Sequence, residues 1–378
     1  MKARHLVPFL LVILSGCSSI ENKLGMNSSA PSLPSISQKF RPLILWKDEV
    51  GAMGDSVLVP AVDHGAIFAA SGDGKLSRIE GLRGKEIWKI DTGSKLTAGV
   101  GVGDGLVMVG SKDGEVMAFD ESGKQKWKFG IKGELLSPPQ ADDGIAVVRV
   151  GDGRIFGIDD ATGQQKWVYQ FNVPPLSVRN YAGVVVSQGA VYAGFAGGKL
   201  VSLDLKTGAV AWESTVALPH GTTELERIAD VTSLPIVDEL QVCAVAFQGK
   251  LSCFDIGKGE LIWSRDIASH AGMTVSKRNF FVSDQQDDVL SLDSGSGIPA
   301  WKQIGLAGRE ITAPYAQDNY VVVGDRYGYV HFMSRADGEL VARTDTDGSA
   351  ILSHPVYLNS DVFLVQTAKG HLYAMSVP

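Results

Sequence analysis

Gly198-Lys-Leu-Val-Ser-Leu-Asp204-Leu-Lys-Thr-Gly208-Ala-Val-Ala-Trp212 is the stretch on which the fold turns. Lys199 to Leu203 alternates apolar and polar with a period of 2, the pattern of a sheet and not of a helix. Thr207-Gly208 then breaks the run, and a second short run ends on Trp212. The same phrase recurs along the chain. Gly153-Arg-Ile-Phe-Gly-Ile-Asp159 leads through Gly163 to Trp167, and Gly249-Lys-Leu-Ser-Cys-Phe-Asp255 leads to Trp263. Further copies start at Gly74, Gly114, Gly328 and Gly370, with a degraded one at Asp287. Tryptophan falls at 46, 88, 127, 167, 212, 263 and 301, at spacings of 42, 39, 40, 45, 51 and 38. A period of this length marks a repeat architecture whose unit cannot bury its own apolar face alone.

Each unit reads as four strands. Leu106 to Val109 is one strand and Glu115 to Asp120 the next, joined at Asp113-Gly114, which is read as a two-residue type I′ turn. The run Gly99-Val-Gly-Val-Gly103 is read as strand and turn, since no helix follows it to make a phosphate loop. Eight hairpin phrases face only seven downstream Trp-type positions, the seventh being Ala342. The phrase at Gly370 lacks an outer strand after it, whereas Leu43-Ile-Leu-Trp46 has the outer-strand pattern with no inner strands before it. Joining the two closes a ring and removes the open edges. The expectation is an all-β, eight-bladed β-propeller of four-stranded antiparallel blades over residues 41–378, closed by the N-terminal strand. Trp46, Trp88, Trp127, Trp167, Trp212, Trp263 and Trp301 are then structural, packing between blades.

Composition narrows the function. The 378 residues carry 35 Lys+Arg against 42 Asp+Glu, a formal net charge of −7 with no basic stripe, which argues against a nucleic-acid partner. Three cysteines are too few for a disulfide scaffold. Met1 to His5 is a short basic segment and Leu6 to Leu14 an apolar one, too short for the roughly 20 residues of a membrane span. Leu14-Ser-Gly-Cys17 resembles the bacterial lipobox. That resemblance implies a signal peptide over 1–16, lipidation of Cys17, and, with Ser18 in place of Asp, the periplasmic face of the outer membrane. Losing Lys2 and Arg4 with the leader takes the net charge to −9. Residues 17–40, rich in Ser, Asn and Pro, read as a flexible tether.

The phrase Asp-x-x-Thr-Gly-x-x-x-Trp resembles the tryptophan-docking repeat of quinoprotein-type propellers, and two readings from different classes follow. A quinone-dependent periplasmic dehydrogenase would need calcium ligands, a catalytic carboxylate and usually a vicinal disulfide. Cys243 and Cys253 stand ten apart, and the seven histidines are dispersed. Asp345-Thr-Asp347-Gly348 lacks the later Glu of a calcium loop and is read as a solvated turn. The other reading is non-enzymatic and without cofactor. Lipobox, tether and eight degenerate repeats resemble the BamB family, the propeller lipoproteins of the outer-membrane β-barrel assembly machine. The resemblance implies a scaffold that binds the periplasmic POTRA domains of BamA and leaves nascent outer-membrane proteins open as further partners.

Its more specific part lies where the repeats stretch, after Trp167 and after Trp212. Outer-to-inner connections of successive blades emerge on one rim, so these two long ones are neighbours and form the candidate binding site. They contain Pro174-Pro-Leu-Ser-Val-Arg179 and Thr223-Glu-Leu-Glu-Arg-Ile-Ala-Asp230. By resemblance Leu176, Val178, Arg179 and Asp230 match the family's BamA-contacting positions, while Thr232 stands where a second Asp is common. Leu176 and Val178 are expected on one side of an extended loop, and Asp230 either orients Arg179 or meets a partner cation. A purely structural Arg179–Asp230 pair is the alternative. Finally, if Gln248-Gly249 is a two-residue turn, Cys243 pairs with Phe254, and both thiols are expected free and buried.

Overall fold

The computed structural model describes residues 30–178 and 181–377. Among these, 32 strands form eight four-stranded antiparallel sheets, and no helix occurs. Seven sheets are built from consecutive strands. The eighth pairs the strand Leu43–Glu49 with His371–Ser376, from Leu43 opposite Ser376 to Glu49 opposite His371. The chain is an eight-bladed β-propeller closed by its N-terminal strand. Blades are numbered 1 to 7 from Ala61 onward, with the closing sheet as blade 8.

The burial of each strand follows from its neighbours. Second and third strands are sandwiched between adjacent blades, so runs such as Ala190–Phe195 and Lys199–Asp204 are buried on both faces. Outer strands touch a neighbour on one side only. Gln165–Gln170 accordingly alternates, with Trp167 buried between exposed Lys166 and Val168. The apolar clusters lie between blades, and one of them joins Trp46, Leu364 and Leu372 of blade 8 to Ile67 and Ile79 of blade 1. The inner strand Leu96–Gly103 runs so close to blade 3 that a side chain on Gly101 or Gly103 would collide with the carbonyls of Pro139 and Ala141. This is the physical reason for its glycine run.

Every tryptophan docks in the same way. Its indole N–H donates to a carbonyl in the outer turn of the next blade, from Trp46 to Gly81 around to Trp301 to Arg335, at 2.5 to 3.1 Å. Its ring lies on the glycine that ends that turn. A Cβ on Gly208 would stand 2.5 Å from the Trp167 ring, and Gly208 also has φ +70°. The Thr-Gly turn and the Trp are thus two halves of one inter-blade joint. Ala342 breaks the series because it faces blade 8, whose outer strand arrives from residue 43 without such a turn. Phe40 packs beside this place, against Tyr320 and Phe332. The Lys39 N–H donates to the Val341 carbonyl at 2.8 Å, so the chain is engaged with blade 7 from Pro34 onward, within the stretch that reads as tether.

The hairpin turns correct two expectations. In blades 1 to 4 a type I′ turn lies between the first and second strands, as at Asp104-Gly105, with φ of 50° and 73°. The Asp113-Gly114 connection is instead three residues long, Lys112 to Gly114, with only Gly114 at positive φ (82°). This is the three-residue hairpin, a tight turn followed by a left-handed glycine. Blade 5 likewise uses three residues, because the Ala246 N–H donates to the Lys250 carbonyl. The extra residue shifts the register by one, so that Cys243 lies opposite Cys253 and not Phe254. Directly opposed residues share a face, and the two cysteines form a disulfide. The expectation of free thiols fails for that reason.

Candidate partner-binding site

The two longest connections of the rim run over residues 171–183, between blades 3 and 4, and 216–235, between blades 4 and 5. The second is organised from within. Thr223 and Glu226 form a reciprocal cap: the Glu226 N–H donates to Thr223 Oγ1 at 3.2 Å, and the Glu226 carboxylate accepts from the amides of Thr222 (2.7 Å) and Thr223 (3.0 Å). The amides of Thr223 and Thr222, with the Thr222 hydroxyl, hold that carboxyl down to about 2. The Arg227 N–H donates to the Thr223 carbonyl, completing one helical turn. It presents Leu225, 66% exposed, with Leu218 at 72% nearby in the sequence.

Asp230 fastens the two connections together. One carboxylate oxygen accepts the Val178 N–H at 2.7 Å, and the other accepts the Gly197 N–H at 3.0 Å in the blade 4 hairpin. The residue is 1% exposed. Sequence reasoning expected it to meet Arg179 or a partner cation, whereas the geometry buries it as a latch on two backbone amides. A carboxylate between two backbone amides in a loop resembles, in sequence, any acidic loop residue. Thr232 is also buried, with no partner for its hydroxyl among the described residues. Leu176 is 44% exposed, and Val178 is half-buried and lines a cleft. The chain bends at Pro175 and Leu176, so these two do not alternate along a straight strand as expected. Arg179 and Cys17 lie outside the described residues.

Asp347 is a second latch on this rim. Burial opposes its ionisation, yet bonds from Ser349, His371 and Thr367 hold its carboxyl well below the usual range. It is not the solvated turn read from the sequence, because the hairpin of blade 8 folds over it. Among the described residues no group of three or more His, Cys, Asp or Glu is placed to hold a metal ion. Arg149, which the sequence reading passed over, lines the cleft below the first connection. Its signal was legible: it stands four residues before Gly153, where the other repeats carry Ala70, Gly110, Gly194, Val245, Ser283, Gly324 and Gln366.

Fold and rim together define a tryptophan-docking β-propeller whose irregular features gather on one face. A family model described as outer membrane protein assembly factor BamB matches residues 72–303. The BamB of Nitrosomonas eutropha is 43% identical, covering 97% of this chain and 93% of its own. That of Escherichia coli K12 is 31% identical, covering 98% of each. The crystal structure of BamB from Moraxella catarrhalis is similar with a TM-score of 0.81 at 25% identity, covering 89% of this chain and 100% of that one. The chain belongs to the BamB family of outer membrane protein assembly factors. A quinohemoprotein alcohol dehydrogenase from Comamonas testosteroni, with a TM-score of 0.70 at 14% identity over 90% of this chain and 78% of its own, shares the fold alone.

Proposed function

We propose that the protein is a non-catalytic scaffold subunit of the outer-membrane β-barrel assembly complex, anchored by lipid at Cys17 on the periplasmic face, which binds the POTRA region of BamA through its two long rim connections. The observation that carries this reading is the Asp230 latch. It joins the two connections into one surface, above which Leu176, Leu218 and Leu225 stay exposed. Apolar anchors held by a buried polar frame suit protein docking. A lipid tether raises the effective concentration of the two partners, so a modest contact suffices. The dehydrogenase reading finds only likeness of fold, while relatives at 43% and 31% identity over nearly the whole chain carry the name of an assembly factor.

The test is co-purification of BamA with the lipidated chain from outer membranes. Arg179→Ala and Leu225→Ala should each lose most of the BamA while unfolding at the normal temperature. Lys206→Ala, on an outer turn of the opposite rim where Lys206 pairs with Asp143, should retain it. Loss of BamA in all three variants, or in none, refutes the rim assignment. Cys17→Ala should release the chain from the membrane; persistence there contradicts the lipid anchor.

A further inference from the structure

The helical turn that carries Leu225 is capped from within at its start and open at its end. Thr222, Thr223 and Glu226 close the start. At the end no backbone amide bonds the Glu226 carbonyl, and the Leu225 carbonyl accepts only a long bond, of 3.4 Å, from the Ile228 N–H. The side-chain amide of Gln248, half-buried at the tip of the blade 5 hairpin, lies 3.2 Å from both oxygens. Carbonyls accept and cannot donate, so the amide turns its NH2 toward them and donates one hydrogen to each. Among the described residues no other hydrogen bond or ion pair joins residues 218–228 to the propeller.

The rest of that hairpin grips the two feet of the connection. The Phe247 N–H donates to the Asp230 carbonyl at 2.7 Å, Ala246 bridges Val231, and a Cβ on Gly249 would stand 2.6 Å from Ala217. The arch between those feet is left to Gln248. In the sequence this position is out of line with its repeats. Three other hairpins carry Asp-Gly here, at Asp73, Asp113 and Asp152. Such an Asp bends back on its own turn, as Asp152 does in accepting the Arg154 N–H at 3.2 Å. Gln is one methylene longer and uncharged, and it donates where a carboxylate can only accept.

We propose that Gln248 is a positioning residue for partner docking, which holds the arch 218–228 on blade 5 so that Leu225 stands at a fixed place on the rim before the partner arrives. The inference rests on the rim-docking reading above and deepens it. An anchor on a loose arch binds more weakly in proportion to the fraction of molecules in which the arch is in place. Ordering a loop during binding lowers affinity for the same reason that preorganising it raises affinity. Gln248 acts through Leu225, whose side chain is 66% exposed and supplies the contact itself.

The test uses the full mature chain in detergent and the periplasmic region of BamA as probe, titrated against wild type, Gln248→Asp, Gln248→Glu, Leu225→Ala and the double variant Leu225→Ala/Gln248→Glu. Gln248→Asp restores the Asp-Gly turn of the other repeats and Gln248→Glu keeps the length, but both set an acceptor before two carbonyls. Each should weaken binding roughly tenfold, the net worth of two neutral hydrogen bonds, and lower the unfolding temperature by no more than about 2 °C. The amides of Glu226, Arg227 and Ile228 should exchange roughly tenfold faster, while those of Phe247 and Val231 keep their rates. The double variant should bind no more weakly than Leu225→Ala alone, which a general loosening of the rim would not produce. Normal binding by both Gln248 variants beside a weakened Leu225→Ala refutes the positioning role and leaves the docking reading standing, and additive losses in the double variant refute it as well. If Leu225→Ala binds like wild type, the docking reading loses this anchor and the positioning role falls with it. If one Gln248 variant melts far below wild type the other carries the comparison, and if both do, Gln248 belongs to the framework of blade 5 and the proposal is refuted.

Discussion

Replacing Asp230 with Ala separates a latch from a contact residue. The substitution removes two charge-assisted hydrogen bonds, of 2.7 and 3.0 Å, and strands the amides of Val178 and Gly197. Each such bond contributes about 1.5–3 kcal/mol, but the Val178 amide regains water once its loop lifts, so the net cost is about 2–4 kcal/mol. At an unfolding entropy of about 2.1 cal/mol/K per residue over a unit spanning Pro34–Pro378, that is a fall of roughly 3–5 °C in the melting temperature. Locally the effect is larger in relative terms. Exchange of the Val178 and Gly197 amides should accelerate roughly thirtyfold to a thousandfold, since each 1.4 kcal/mol is a factor of ten. Asp230→Asn, with a single acceptor oxygen, should fall midway. Amide exchange by NMR or mass spectrometry reads the loops, calorimetry reads the whole, and BamA binding should weaken only as far as the loops loosen. Unchanged exchange at Val178 together with lost binding would falsify the latch and return Asp230 to the binding surface.

Ala342→Trp, which restores the repeat's consensus, should destabilise the protein by about 1–3 kcal/mol in chemical denaturation, because the site is fully buried and blade 8 offers no turn glycine for the ring. Thiol titration in denaturant should find Cys243 and Cys253 unreactive until a reductant is added; Cys253→Ala should cost about 3 kcal/mol on the loop-closure model of a ten-residue separation. Burial lowers the imidazoles of His331 and His354 below their usual 6.5, and for His331 the nearby Arg309 and Arg343 add to this against the opposing bond from Asp325. The unfolded chain therefore takes up these protons first as pH falls below about 6.5, so stability should decline from there toward pH 5. His331→Gln should flatten that decline in pH-resolved melts; an unchanged slope would remove His331 as its source.

What the sequence by itself determines here is what local pattern encodes. Period-2 alternation and the recurring Thr-Gly and Trp specify strands, blades and the inter-blade joint, and the mismatch between Leu43–Trp46 and Gly370–Met375 specifies how the ring closes. These features are legible because each depends on neighbours in the chain or on a count of repeats. The tertiary structure decides what depends on a single residue of register or on which distant amide lies within reach. Gln248-Gly249 suits both a two- and a three-residue hairpin, so the choice that places Cys243 opposite Cys253 has no marker in the turn itself. Asp230 reads as a surface acid until Val178 and Gly197 close on it from two other segments. Arg149 is visible as an odd residue in its column, but only the structure shows that it lies over the Phe195 ring and bonds the Gly183 carbonyl. Backbone amides and empty space carry no sequence signature, because every residue contributes the same amide and the space belongs to none of them.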